Sequence, residues 1–279
     1  MSDGKARPRR RDRGGRVVAA VGTGALLVTV LFPFLWLLQM SVRPNEDILG
    51  HRLLFRPTLE HYQALRVGQF PRSFGNSTLA SVASTLLSLI VGVPAAYALS
   101  RWPFRARRQV ALWVLATRMA PPIAFTIPFF LAYRHLELLD TVSGLVLIYL
   151  TFNLALVMWM MRTFFDSVPK TLEEAAWIDG SSVWGSFFRV TLPLAAPGLA
   201  ATAVLCFVFS WNDFFYALIL TRTKAMTAPV AIVNFMQYEG WEWGKIAAGG
   251  TLVMLPVVVF SLVVRNYLVS GLMAGGLKE

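Results

Sequence analysis

Six stretches of the 279-residue chain are predominantly apolar for the length of a bilayer crossing: Val17 to Ser41, Asn76 to Ser100, Gln109 to Tyr133, Thr141 to Phe165, Leu192 to Thr221 and Ile246 to Val269. Since about 20 apolar residues of helix cross the hydrocarbon core of a membrane, the pattern predicts an all-α membrane protein of six transmembrane helices. The domain reading is a basic cytoplasmic tail over 1–16, a transmembrane domain over 17–269 and a cytoplasmic C-terminal tail over 270–279. Arginines precede the first run, as in a secretory leader, but it is long and lacks a clear small-residue cleavage site. It reads as a retained anchor.

Residues 169–193, between the fourth and fifth runs, break the pattern. Thr171 and Glu174 have the spacing at which a hydroxyl and a carboxylate each satisfy an unpaired backbone donor at a helix start, so a helix is expected to begin there. Asp179-Gly180 supplies a stop, because glycine enters the left-handed conformation without steric cost. Ser181 or Ser182 then caps a second short helix that places Val183, Phe187 and Val190 on one face, and Pro193 and Pro197 mark the turn into the next span. Ala175 and Ala176 leave a small-residue surface that a bulky partner can approach closely. The predicted object is a helix, a glycine bend and a second helix: a docking element.

Composition agrees, with 56% hydrophobic and 15% charged residues against about 25% charged in a globular domain. Sixteen Lys/Arg fall on the side of the termini and the second and fourth connections, and nine on the other side. Positive charge stays inside, so both termini are expected in the cytoplasm. The net charge of +11 lies mostly beside spans, which points to anionic lipid headgroups and not to nucleic acid. Cys206, the single cysteine, permits neither a disulfide nor a cysteine metal site. No Gly-x-x-x-x-Gly-Lys-Ser/Thr loop occurs, so any ATP and Mg would be bound by another chain, and no cofactor is expected in this one. An intramembrane enzyme lacks its inventory: His51, His61 and His135 fall in external connections and no His-Glu-x-x-His occurs.

Polar groups at bilayer depth usually face a protein interior or a water-filled cavity. Arg118 in the third run, Asn153 in the fourth, and Trp211, Asn212 and Asp213 in the fifth are therefore candidates for a substrate pathway. Two readings stay open: Arg118 and Asp213 line the pathway or form an interhelical ion pair, and Asn153 lines it or bonds two helices together. Pro121, Pro122 and Pro128 interrupt the third run, as tolerated where a helix lines a cavity. Ala80, Ser84, Ser88, Gly92, Ala95 and Ala96 predict close helix contact along the second run.

Glu174-Ala175-Ala176, three residues, Gly180, nine residues, Val190, one residue and Leu192-Pro193 resemble the EAA loop of permease subunits of binding-protein-dependent ATP-binding-cassette (ABC) importers, with valine in place of the usual isoleucine. Glu-Ala-Ala-x-x-Asp-Gly over 174–180 is similar to the maltose-permease type of carbohydrate importer. Met119 to Pro122, Trp211 to Phe214 and Gly271 to Lys278 extend the likeness, which covers roughly residues 17–278. The resemblance implies a type I importer permease that moves a sugar or polyol and is not itself an enzyme. Glu173, Glu174, Ala175, Ala176, Asp179 and Gly180 would couple it to the ATPases. Its implied partners are a second permease subunit in a heterodimer, two ATPase subunits and an extracytoplasmic solute-binding protein, in the cytoplasmic membrane of a bacterium or archaeon. Tyr238, Trp241 and Trp243 lie where such permeases extend a loop toward the binding protein, though the tryptophans alone also suit an interfacial anchor. A glycerol phosphate, a sulfosugar or another small polar solute is the alternative cargo, and a stand-alone secondary transporter the alternative class.

Overall fold

The computed structural model describes residues 11–48, 50, 55–237 and 240–276, so Tyr238, His51 and the tail before residue 11 lie outside the described residues. In chain order the helices are α1 (Arg11–Ser41), α2 (Asn45–Ile48), α3 (Glu60–Val67), α4 (Phe70–Arg101), α5 (Arg107–Met119), α6 (Thr126–His135) and α7 (Val142–Ser167). They continue with α8 (Lys170–Ile178), α9 (Val183–Ser186), α10 (Leu192–Leu194), α11 (Ala196–Trp211), α12 (Phe215–Leu220), α13 (Ala228–Val233) and α14 (Trp243–Gly276). A two-stranded antiparallel ribbon, β1 (Met236–Gln237) and β2 (Gly240–Trp241), pairs Met236 with Trp241 and Gln237 with Gly240.

Four helices are long and apolar enough to cross a membrane, and six spans result if each of two bent pairs counts as one. The third predicted run is one such pair: α5 and the segment Pro122–His135 meet at 92°. Pro121 and Pro122 remove backbone donors here, and a 3₁₀ turn over Pro122–Phe125 bridges the break. The second pair joins Val183–Leu194 to Ala196–Trp211 at 76°.

The fifth predicted run, Leu192 to Thr221, is not continuous: α11 ends at Trp211 and α12 begins at Phe215. The polar side chains between them compete for backbone partners. Asn212 Nδ2 donates to the Val208 carbonyl at 2.9 Å, and Asp213 Oδ2 accepts from the Ala217 amide at 3.1 Å.

The centre of the fold is α4, roughly 48 Å long at 1.5 Å per residue. It packs along α7 and α11 on a buried stripe of Ser73, Ser77, Ala80, Ser84, Ser88, Gly92 and Ala96. A Cβ at Gly92 would stand 2.7 Å from Val157 Cγ1, so glycine sets how closely α4 and α7 approach. One apolar core lies around Tyr133, Leu145, Tyr149 and Ala217, and another around Tyr97, Val157, Phe165 and Phe187. Helix α1 contacts α14 and buries none of its apolar window.

Candidate functional site

The segment after α7 forms the predicted bend. Helix α8 starts at Lys170 with Pro169 as its cap residue and no side-chain cap, so the expected Thr171–Glu174 box does not form. Proline tolerates this start because it has no amide proton to leave unpaired. Gly180 takes φ +87, and the amides of Gly180 and Ser181 close the helix on the carbonyls of Trp177 and Ala176 at 3.0 and 2.9 Å. Ser182 caps α9 by accepting from the Gly185 amide at 3.0 Å. Trp177 Nε1 donates to Ser186 Oγ at 2.8 Å, tying the two arms together. The expected common face of Val183, Phe187 and Val190 does not survive: a π-helical turn over Phe187–Thr191 changes the period, leaving Val183 exposed and Phe187 buried.

Two opposed faces of α8 follow. Glu174, Ala175 and Asp179 are exposed together with Leu172, Trp177 and Ile178, and Ala176 is half-buried. Glu173 points the other way and is only 1% exposed. Its carboxylate takes Arg101 Nε at 2.7 Å and the Tyr97 hydroxyl at 2.8 Å. Burial pushes this carboxyl up, but the Arg101 and Tyr97 hydrogen bonds outweigh it and hold the group below the ordinary carboxylate range.

The second site is a cavity of about 240 Å³ lined by Thr117, Arg118, Ala120, Pro122, Thr151, Phe152, Phe209, Asp213 and Tyr216. The α5–α6 break and the α11–α12 break both open onto it, the first contributing Ala120 and Pro122 to its lining and the second Asp213. Arg118 donates weakly to the Phe152 carbonyl at 3.4 Å and lies 4.8 Å from the Phe209 ring centroid. Phe152 and Tyr216 stack at 13°. No ion pair joins Arg118 to Asp213 among the described residues.

Of the five residues proposed for a pathway, these two share the cavity. Asn153 is buried against Ser210, donating to its hydroxyl at 2.8 Å, and Ser84 reaches the same hydroxyl at 3.1 Å. Trp211 is buried too, its Nε1 on the Val253 carbonyl at 2.9 Å and its ring stacked on Phe207. Asn212 is exposed and off the cavity lining. Phe209, Asp213 and Tyr216 stand at i, i+4 and i+7, a spacing visible in the sequence; Thr117, Thr151 and Phe152 carry no such signal.

On the opposite side from α8, Asp140 holds φ +54 and its carboxylate accepts from the amides of Arg222, Thr223, Lys224 and Ala225 at 2.9 to 3.2 Å. Partial burial pushes this carboxyl up, but the four amides hold it well below its usual range. Asn76 Nδ2 donates to the carbonyls of Lys224 and Met226, at 2.9 and 3.0 Å. The loop that leads to the β1–β2 ribbon is thus pinned at its base, while Trp241 and Trp243, with centroids 4.7 Å apart, remain exposed at its end.

A helical bundle with a helix–glycine–helix segment and a polar cavity between broken helices narrows the choice of family. Residues 88–272 match the family described as binding-protein-dependent transport system inner membrane component. The chain belongs to this family. The permease is 38% identical over 253 residues to the trehalose transport system permease protein SugB of Mycobacterium tuberculosis, covering 89% of this chain and 92% of that one. It is 34% identical to the trehalose/maltose transport system permease protein MalG of Thermococcus litoralis, over 94% of this chain and 97% of that one. Its fold matches a chain in the crystal structure of a bacterial ABC transporter that imports the acidic polysaccharide alginate. The TM-score there is 0.79 at 27% identity, with 94% of this permease and 99% of that chain covered. The chain is therefore a multi-pass permease subunit of an ABC importer, a transport component and not an enzyme.

Proposed function

We propose that this permease forms one wall of a pathway for a neutral sugar or polyol. The observation that carries the reading is Arg118 and Asp213 in one aromatic-walled cavity with no ion pair between them among the described residues. A guanidinium fork and a carboxylate of opposite charge supply donors and acceptors for hydroxyls, and the rings of Phe152, Phe209 and Tyr216 suit the C–H faces of a sugar. The named cargoes of relatives, trehalose and maltose, support it. At about 240 Å³ the cavity is below the roughly 300–1,000 Å³ of a complete ligand pocket, which supports a second permease subunit completing it; in this reading the two subunits form a heterodimer.

In this reading two ATPase subunits bind ATP and Mg and dock on the exposed face of α8 around Glu174, Ala175, Ala176, Asp179 and Gly180. An extracytoplasmic binding protein meets the loop carrying Trp241 and Trp243, both termini are cytoplasmic, and anionic lipid contacts the basic connections. Closure of the ATPases moves α8, and rigid-body motion alternates access to the cavity.

The test is uptake of labelled trehalose and maltose by the whole importer in proteoliposomes. Arg118→Ala and Asp213→Asn are each expected to reduce uptake at least tenfold, and the double variant to remain inactive. Restoration of uptake in the double variant would overturn the pathway role, because it marks a structural charge pair. Uptake of a sulfonated or phosphorylated sugar in preference to the neutral ones would overturn the neutral-cargo reading.

A further inference from the structure

The two faces of α8 perform different tasks. Glu173 is adjacent to Glu174 in sequence, yet it is buried against the end of α4, not offered to solvent. Arg101, the last residue of α4, has a side chain 7% exposed and lies 2.6 Å from the same carboxylate through Nη2. That nitrogen also donates to the Val168 carbonyl at 3.0 Å, in the connection that follows α7. Tyr97, one turn earlier on α4, holds the other carboxylate oxygen, and its ring packs on Phe165 of α7 at 5.6 Å and on Phe187 beyond the glycine bend at 4.6 Å. The Glu173 carboxylate therefore ties the docking helix to the end of α4, and Arg101 and Tyr97 carry the link on to the end of α7.

A charge buried this deeply cannot be separated from its partner without being stranded, so the pair holds together under displacement. The Asp166 pairs nearby lack this property: its carboxylate is 44% exposed and sits 3.5 Å from Arg162 and 4.0 Å from Arg107. From Arg101 the long α4 runs along α7 and α11, the helices that carry Thr151, Phe152 and Phe209 into the cavity.

We propose that Glu173, through Arg101 and Tyr97, is the positioning residue that makes the docking helix and α4 move as one body, so that displacement of an ATPase reaches the cavity. The inference rests on the docking role of α8 proposed above. It assigns Glu173 to transmission and leaves contact with the ATPase to the exposed face.

The experiment uses the whole importer in proteoliposomes and reads ATP hydrolysed per solute imported, together with the amount of ATPase subunit that co-purifies. Glu173→Gln and Arg101→Gln are expected to retain the ATPase subunits while the ratio of ATP to solute rises at least tenfold. The double variant should be no worse than the poorer single one, because the two act as a unit. Tyr97→Phe keeps the ring packing and the ion pair and is expected to raise the ratio two- to fivefold. It decides the matter if Glu173→Gln fails to assemble. An unchanged ratio in any of these variants that assembles overturns the proposal. Ile178→Asp, on the exposed face, tests the docking role separately and should lose the ATPase subunits. Their full retention with normal import would overturn the docking reading and the inference with it.

Discussion

Gly180 sits at φ +87 with nothing within 4 Å of where a Cβ would stand, so a side chain there meets backbone strain and no clash. A β-branched residue in this conformation costs at least about 1–2 kcal/mol, whereas asparagine enters it more readily. Import by the reconstituted permease should therefore rank wild type above Gly180→Asn above Gly180→Val, with membrane insertion preserved in all three. Asp140 is the corresponding residue on the other side. Its carboxyl is depressed by four amides, so the stabilisation it gives is complete above the ordinary aspartate value of 3.8 and is lost as pH falls through the depressed one. Asp140→Asn should lower the unfolding midpoint by about 2–4 °C, as for a loss of about 1 kcal/mol. That difference should be constant from pH 6 to 8 and shrink only in strong acid.

At the scale of the element, continuity and interruption are set by different physics. Helix α4 passes through Pro94 without a break, while α5 and α6 bend at Pro121-Pro122, where two successive residues lack donors. The α11–α12 break contains no proline and follows from Asn212 and Asp213 engaging nearby backbone groups. Both breaks open onto the cavity, which is where irregular backbone at membrane depth is tolerated. The α4–α7 contact lends itself to a test at this scale. Gly92→Leu drives a side chain into Val157 and should destabilise by about 1–3 kcal/mol through overpacking, read as a lowered unfolding midpoint. Compensating Val157→Ala should recover part of the loss.

For the whole molecule, α1 and the residues Trp113 and Met119 of α5 and Ile127 of α6 present bare apolar surface, the last three at 74%, 78% and 71% exposure. Water does not suit such a surface; lipid or another subunit does. Local chemistry determined the class, the six apolar runs and the bend at Gly180, because bilayer-long apolar runs and a glycine's steric freedom are properties of residues near one another. The Arg118 and Asp213 positions were legible for the same reason, as charges inside apolar runs. Their sharing of a cavity without pairing was not, nor was the burial of Asn153 and Trp211 against Ser210 and Val253. Glu173 and Glu174 read alike in the sequence, and only the packing of α8 on α4 turned one inward and left the other exposed. Asp140 likewise finds its amides 82 to 85 residues away. Contacts across such separations depend on how helices pack, and neither hydropathy nor spacing along the chain encodes that.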